Sequence, residues 1–183
     1  MDRFYSNIII LISSCILCLS SITSIGQNVS SYSFNELYDF DVKTIYDIKQ
    51  DDNGTFWFGT DRGLVKFDGK NFQTFFYPQF DKEYTNIKFG PNGAVYFINF
   101  GGQLFRLKND TIEIVVEYVL EENFIKNYFF VGDDIYYYVS GGKRIYRRSK
   151  SKKIDEVIVK IEGGGYFESM SLNEDKLIAY RLY

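Results

Sequence analysis

The side chains able to carry covalent or acid–base chemistry are few in this 183-residue chain, and their types narrow what it can do. No histidine is present, which removes the commonest general base and the commonest metal ligand. Both cysteines, Cys15 and Cys18, lie in an apolar N-terminal stretch, so the chain downstream has no thiol for a disulfide, a thiolate metal site or a nucleophile. An enzyme built from the rest would need a matched acid and base among its carboxylates or tyrosines. No spacing singles out such a pair, so no catalytic residue is assigned and no cofactor is expected. Asp51, Asp52 and Asn53 have the composition of a calcium loop, yet no downstream glutamate completes a known spacing, and no metal site is expected either. What is left are groups that hold a ligand rather than react with it: Asp61, Arg62, Tyr77, Gln79, Lys82, Asn99 and Ser140. Tyrosine, arginine and amide groups grip polyhydroxylated molecules by stacking and forked hydrogen bonds.

These positions are far apart in sequence and matter only if short recurring elements bring them to one place. Val42 to Phe75 parses into four short strands. Val42, Thr44, Tyr46 and Ile48 alternate with polar residues up to Asn53-Gly54, a dipeptide whose tolerance of positive φ makes it a strong hairpin signal. Phe56 to Thr60 follows, apolar on both faces and hence buried between layers. Asp61-Arg62-Gly63 turns the chain, Leu64 to Phe67 is a third strand, Asp68-Gly69 turns again, and Phe72 to Phe75 is a fourth. The pattern then recurs. Ile48, Gly54, Trp57 and Gly63 match Ile87, Gly93, Tyr96 and Gly102, each 39 positions later. A 40-residue step takes Phe89, Tyr96, Phe97 and Gly102 to Phe129, Tyr136, Tyr137 and Gly142. A further start lies at Ser169 to Leu172.

That period and strand count predict an all-β fold, a partial β-propeller of about three and a half four-stranded blades. Residues 41–78, 79–118 and 119–162 are read as blades 1 to 3 and 163–183 as the start of a fourth, with 27–40 an N-terminal extension or strand. One blade cannot bury both its faces and needs neighbours. Three and a half blades do not close a ring, so the chain is expected to continue past Tyr183; an open stack, or a ring completed by a second copy, is the alternative. In such a fold the loops joining second to third strands share one face with the crossings between blades. Asp61 and Arg62, Asn99 and Ser140 would ring one opening, with Tyr77, Gln79 and Lys82 in the first crossing. The plainer reading of each is an ordinary solvated loop residue.

The first unit resembles the two-component regulator propeller repeat, through Ile45-Tyr46-Asp47-Ile48, Gln50-Asp51, Asn53-Gly54, Trp57-Phe58-Gly59-Thr60, Gly63-Leu64 and Phe67-Asp68-Gly69. The next two units follow it in outline, with Tyr96-Phe97-Ile98-Asn99 and Tyr136-Tyr137-Tyr138-Val139 in place of Trp-Phe-Gly-Thr. The resemblance implies a periplasmic ligand-sensing input region of a dimeric histidine kinase or hybrid two-component sensor. It implies a membrane span beyond Tyr183, and a small-molecule or saccharide ligand. Asp52, Gly54 and Trp57 also satisfy the Asp-x-Gly-x-x-Trp core of the Asp-box hairpin of sialidase propellers, which implies Asp52 holding its own turn and Trp57 packed between blades. Gly63 and Gly69 complete the set of turn positions. The segment is read as non-catalytic; a secreted polysaccharide lyase or glycosidase propeller, or an adhesion or scaffold propeller, is the alternative.

Compartment and partners follow from charge and from the N-terminus. Arg3, the apolar run Ile8 to Leu19 and the small residues Ser24 and Gly26 read as an export signal over residues 1–26, cleaved before Gln27, which places the mature chain in the periplasm or outside the cell. An uncleaved anchor is the alternative, although the run is short and serine-rich. Ile12 to Cys15 faintly resembles a lipoprotein site, with only four apolar residues before it. A net charge of -3 gives no case for nucleic acid as a partner. The one basic run, Arg144 to Lys153, is expected to be a solvated loop.

Overall fold

A computed structural model describes residues 40–117, 125–139, 142–151, 155–160, 162–173 and 176–182. The expected signal at residues 1–26 and all but the last residue of the extension at 27–40 lie outside the described residues. The fold is a partial β-propeller. Strands β1 (Ile45–Gln50), β2 (Phe56–Thr60), β3 (Gly63–Phe67) and β4 (Phe72–Phe75) form one antiparallel sheet in sequence order. Strands β5 (Tyr84–Phe89), β6 (Val95–Asn99), β7 (Leu104–Lys108) and β8 (Thr111–Val116) form the next. Strands β9 (Ile125–Val131), β10 (Asp134–Val139), β11 (Arg144–Arg148) and β12 (Asp155–Lys160) form the third, and β13 (Tyr166–Asn173) pairs with β14 (Lys176–Leu182) as a hairpin.

The sequence pattern accounts for these strands. Every residue of β6, Val-Tyr-Phe-Ile-Asn, is buried, so this strand has no solvent face and must be covered on both sides. Alternate residues go to different cores. Val95 and Phe97 join Trp57, Tyr84 and Phe105 in the cluster against the first sheet. Tyr96 and Ile98 join Ile125, Tyr128 and Tyr137 in the cluster against the third. A smaller cluster, with Tyr138, Ile145, Phe167 and Met170, continues towards the β13–β14 hairpin. At Asn109 (φ 50) and Asp110 (φ 58) both central residues of the β7–β8 turn have positive φ, the two-residue hairpin geometry that suits the twist of paired strands.

The first strands of successive sheets lie side by side. β1 packs on β5, and the Ile87 N–H of β5 donates to the Asp47 carboxylate of β1 at 2.7 Å. Tyr128 on β9 donates its hydroxyl to the Asn86 carbonyl of β5 at 2.8 Å. Tyr138 of β10 likewise reaches the Glu168 carbonyl of β13 at 3.0 Å. Gly59 marks the closest approach: a Cβ there would sit 2.3 Å from the Tyr84 carbonyl oxygen of the next sheet. Gly63, at φ 134 and with no room for a Cβ beside the Phe75 carbonyl, lets β2 turn into β3.

Two expectations need correcting. The carboxylate that holds the β1–β2 turn is Asp51 rather than Asp52. Its Oδ1 accepts the Asn53 N–H at 3.0 Å and the Thr55 N–H at 2.9 Å, and its Oδ2 accepts the Trp57 indole N–H at 3.0 Å, whereas Asp52 is exposed. Trp57 itself is buried, with Gly54 in the turn and Gly69 in the turn after β3. The basic run, in turn, begins as strand, Arg144 to Arg148, and passes into a turn at Lys150, with Lys152 and Lys153 outside the described residues. Arg147 and Arg148 lie on β11 and pair across to Glu156 and Asp155 on β12, and Lys150 reaches Asp133 at 3.0 Å. The acidic partners on the neighbouring strand and turn neutralise Arg147, Arg148 and Lys150 locally.

The Asp51 carboxyl sits below its usual value. Burial alone would raise it, but the hydrogen bonds from Trp57, Thr55 and Asn53 outweigh that and lower it. Asp51→Ala is expected to cost about 2 kcal/mol of unfolding free energy at pH 7, and Asp52→Ala less than about 0.5 kcal/mol, read from urea denaturation. Because the folded pKa is depressed, the Asp51 contribution is present above the unfolded value near 3.8 and fades as pH falls through the folded one. Equal losses for the two variants would contradict the assignment.

Candidate ligand-binding face

The β2–β3, β6–β7 and β10–β11 loops meet the chain passing between sheets at one end of the fold, tied by backbone hydrogen bonds. The Asp61 N–H donates to the Thr44 carbonyl at 3.2 Å and the Phe100 N–H to the Glu83 carbonyl at 3.2 Å. The Ile125 N–H donates to Gly102 at 3.4 Å and the Phe167 N–H to Gly142 at 3.0 Å. These bonds fasten each loop to the incoming first strand of its own or the following sheet.

Several of the sequence candidates are consumed by this fastening. Asp61 Oδ1 accepts the Lys43 and Thr44 N–H groups at 3.2 and 3.3 Å, closing its own loop onto β1. Asn99 is 2% exposed: its Oδ1 accepts the Gln103 N–H at 2.8 Å and its Nδ2 donates to the Asp81 carbonyl at 3.3 Å. Tyr77 packs its ring against Phe80 and Phe105, and its N–H donates to the Tyr84 hydroxyl at 2.9 Å. These three shape the loops. Ser140 lies outside the described residues. Arg62, Gln79 and Lys82 are exposed. The Arg62 side chain makes a solvent-facing ion pair to Asp41 at 3.5 Å, and the Lys82 ammonium lies 4.3 Å from the Phe76 ring centroid. Asn99 and the crossing that carries Lys82 are brought together through Asp81.

The sequence reading missed the aromatic residues of this face. Phe100 is 53% exposed and Phe76 47% exposed, and Phe100 sits 4.7 Å from the ring of Tyr46 on β1. Each directly neighbours a chosen candidate, Asn99 or Tyr77, and an aromatic beside a strand end reads as core. Tyr46, Phe100, Phe76, Lys82 and Arg62 together offer ring faces and cations at one end of the fold. Such groups hold sugars or other polar organic molecules.

Polar residues on the first strands were also missed. Asp47, Asn86, Asn127 and Glu168 recur at intervals of 39, 41 and 41 residues. Asn86, at φ 53 in an irregularity of β5, donates its Nδ2 to Asn127 Oδ1 at 3.0 Å and to the Lys126 carbonyl at 3.3 Å. The Lys88 ammonium donates to Asn127 Oδ1 at 2.8 Å and to the Tyr128 carbonyl, and lies 3.5 Å from the Phe129 ring centroid. Loss of water, and then the charge of Lys49, push its pKa down to about 8 against the opposing pull of Asp47. The signal for this ladder was the 39- to 41-residue spacing itself, hidden because a polar residue in an alternating strand reads as solvent-facing. Among the described residues no cluster of acidic side chains is gathered to hold a metal.

Comparison with known proteins bears on this geometry. Residues 39–62 match the family model of the two component regulator propeller, so the resemblance seen in the first unit is found independently over β1, β2 and the turn after them. No curated protein matches the sequence. Among solved structures, a catalytically inactive virginiamycin B lyase from Staphylococcus aureus, solved with quinupristin, is similar at a TM-score of 0.64 and 16% identity. The alignment covers 78% of this chain and 51% of that one. YCF48 from Cyanidioschyzon merolae is similar at a TM-score of 0.58 and 13% identity, over 82% of this chain and 52% of that one. The extracellular domain of a hybrid two component system from B. thetaiotaomicron aligns at 0.40 with 12% identity, over 76% of this chain and 31% of that one, and no argument rests on it. At these identities the likeness shows the fold alone, and the chain spans about half the length of the first two structures.

Lys88 gives a signed test. Between pH 8 and 10.5 the unfolded chain keeps a proton that the folded chain has released, so this group makes stability rise with pH across that window. Lys88→Met is expected to remove about 1–3 kcal/mol of that rise, measured as the difference in urea-denaturation free energy between pH 7 and pH 10. An identical pH dependence in both proteins would show that the ammonium is not desolvated.

Proposed function

We propose that this chain is the extracytoplasmic input segment of a two-component sensor of the histidine kinase type, itself non-catalytic, exported by the signal expected at residues 1–26. It binds a small polar molecule or saccharide on the face that carries Tyr46, Phe100, Phe76, Lys82 and Arg62. The observation that carries the reading is the match of residues 39–62 to the two component regulator propeller, together with the exposed rings and cations on the loop face. Ligand binding there would favour one arrangement of a dimeric receptor over another, and the signal is the difference in affinity between the two.

A lyase reading draws on the likeness to virginiamycin B lyase. At 16% identity that likeness shows the fold alone, whereas the two component regulator propeller match lies in the sequence itself. The sensor reading is therefore preferred.

Titration calorimetry of the full chain against a panel of neutral mono- and oligosaccharides tests it. One of them is expected to bind, with Phe100→Ala and Arg62→Ala each weakening it about tenfold, which corresponds to the loss of one ring stack or one forked contact. Absence of binding across the panel at millimolar concentration, or binding untouched by both variants, would remove this face from consideration.

A further inference from the structure

At the other end of the strands, between the second and third sheets, lies a cleft of about 250 Å³. Antiparallel order puts it there: the turns that border it join β5 to β6, β9 to β10 and β11 to β12, whereas the loop face is made by the β2–β3 type of connection. Four cations line it, Arg106, Lys108, Arg148 and Lys150; three are ion-paired, to Glu113, Asp155 and Asp133, and Lys108 is left as the unbalanced positive charge among the described residues. Apart from Ser149 the rest of the wall is apolar or aromatic, with Ile114, Ile135 and Tyr96 prominent.

The cations are positioned in advance. Tyr96, Arg106 and Glu113 stand opposite one another across β6, β7 and β8, and Arg106 bonds Glu113 through one terminal nitrogen. Its Nε is buried without a hydrogen-bond partner, as is the Nε of Arg147 at the matching place in the third sheet. Arg148 is braced at 2.8 Å by Asp155. Lys150 is held at 3.0 Å by Asp133, and its N–H donates at 3.4 Å to Asp134. Lys108, at the end of β7, has no ion pair among the described residues. Anchored guanidinium groups lose little freedom when they bind a carboxylate, which favours Arg at such sites.

We infer that this cleft binds a ring-sized organic carboxylate of the hexuronic acid class. The carboxylate is held by Lys108, Arg106 and Arg148, and the ring lies on Ile114, Ile135 and Tyr96. The volume suits one sugar ring, and a wall shared between fixed charged groups and apolar surface suits a small molecule with both a charged group and a ring. The site is separate from the loop face and does not depend on the sensor reading.

The test is titration of the full chain with sodium glucuronate, with glucose and sodium acetate as controls, followed by amide chemical shifts. Glucuronate is expected to move the resonances of Tyr96, Ile114 and Ile135, with an affinity that falls as salt rises. Glucose and acetate should each bind at least about tenfold more weakly. Lys108→Gln combined with Lys150→Gln, both exposed positions, is expected to weaken glucuronate about tenfold without shifting Tm, and Phe100→Ala on the loop face should leave it unchanged. Equal binding of glucuronate and either control would overturn the inference. So would the absence of shifts at those three residues, an unaffected double variant, or loss of binding on Phe100→Ala.

Discussion

Tyr96 and Phe97 are neighbours on one strand, yet they belong to different cores. That single fact organises the molecule. A strand with no solvent face cannot be satisfied by its own sheet, so each sheet must be covered by another sheet on either side. Stacking of this kind places all the first strands together, and it sends the connections of each type to one end or the other. The loop face and the inter-sheet cleft are therefore both by-products of strands that are apolar on two sides. Neither needed a scaffold of its own.

The polar chemistry is arranged around that constraint. Where first strands meet, apolar packing gives way to a ladder of amides and a lysine, and the hydrogen bonds of Asp47, Asn86 and Tyr128 hold successive sheets in register. Buried hydroxyls on this seam find carbonyl partners, which is what keeps their burial tolerable. Burial correspondingly holds the Tyr128 hydroxyl well above its ordinary range. The outer rim works differently. There the Tyr–Arg–Glu sequence of facing residues across β6, β7 and β8 recurs as Tyr136, Arg147 and Glu156 across β10, β11 and β12. In the first sheet the same positions hold Trp57, Lys66 and Gln73, with the Lys66 ammonium 5.7 Å from the Trp57 ring centroid. Aromatic, cation and acceptor are kept in order while the residues change.

The architecture was legible because its signal is repeated. Gly54, Trp57 and Gly63 recur with their spacing intact, and paired aromatics between turns can only be strands. The site was less legible, for a physical reason visible in particular residues. Asn99 and Asp61 have the side chains of ligand-binding residues, but a short amide or carboxylate beside a tight turn meets unsatisfied backbone N–H groups before it meets any ligand. Asp51 and Asp52 differ only in which of them points back at the indole of Trp57, and a one-residue choice of that kind is made by turn geometry rather than by composition. Arg147 and Arg148 read as a charged loop because their acidic partners are seven to nine residues away on the next strand. The exposed rings of Phe76 and Phe100 escaped notice because aromatics at strand ends are so often interior.

Gly59 carries an implication for how such repeats can vary. Its missing side chain lets the first sheet come to rest against the backbone of the second, while the counterpart 39 residues on, Ile98, is a large side chain packed into the core shared with the third sheet. The gap between neighbours is thus set locally, by the volume at one position, and is not the same at successive joints. Copies of one unit could not be shuffled or duplicated within this array without steric conflict. The order of the repeats is as much a part of the inherited information as their number.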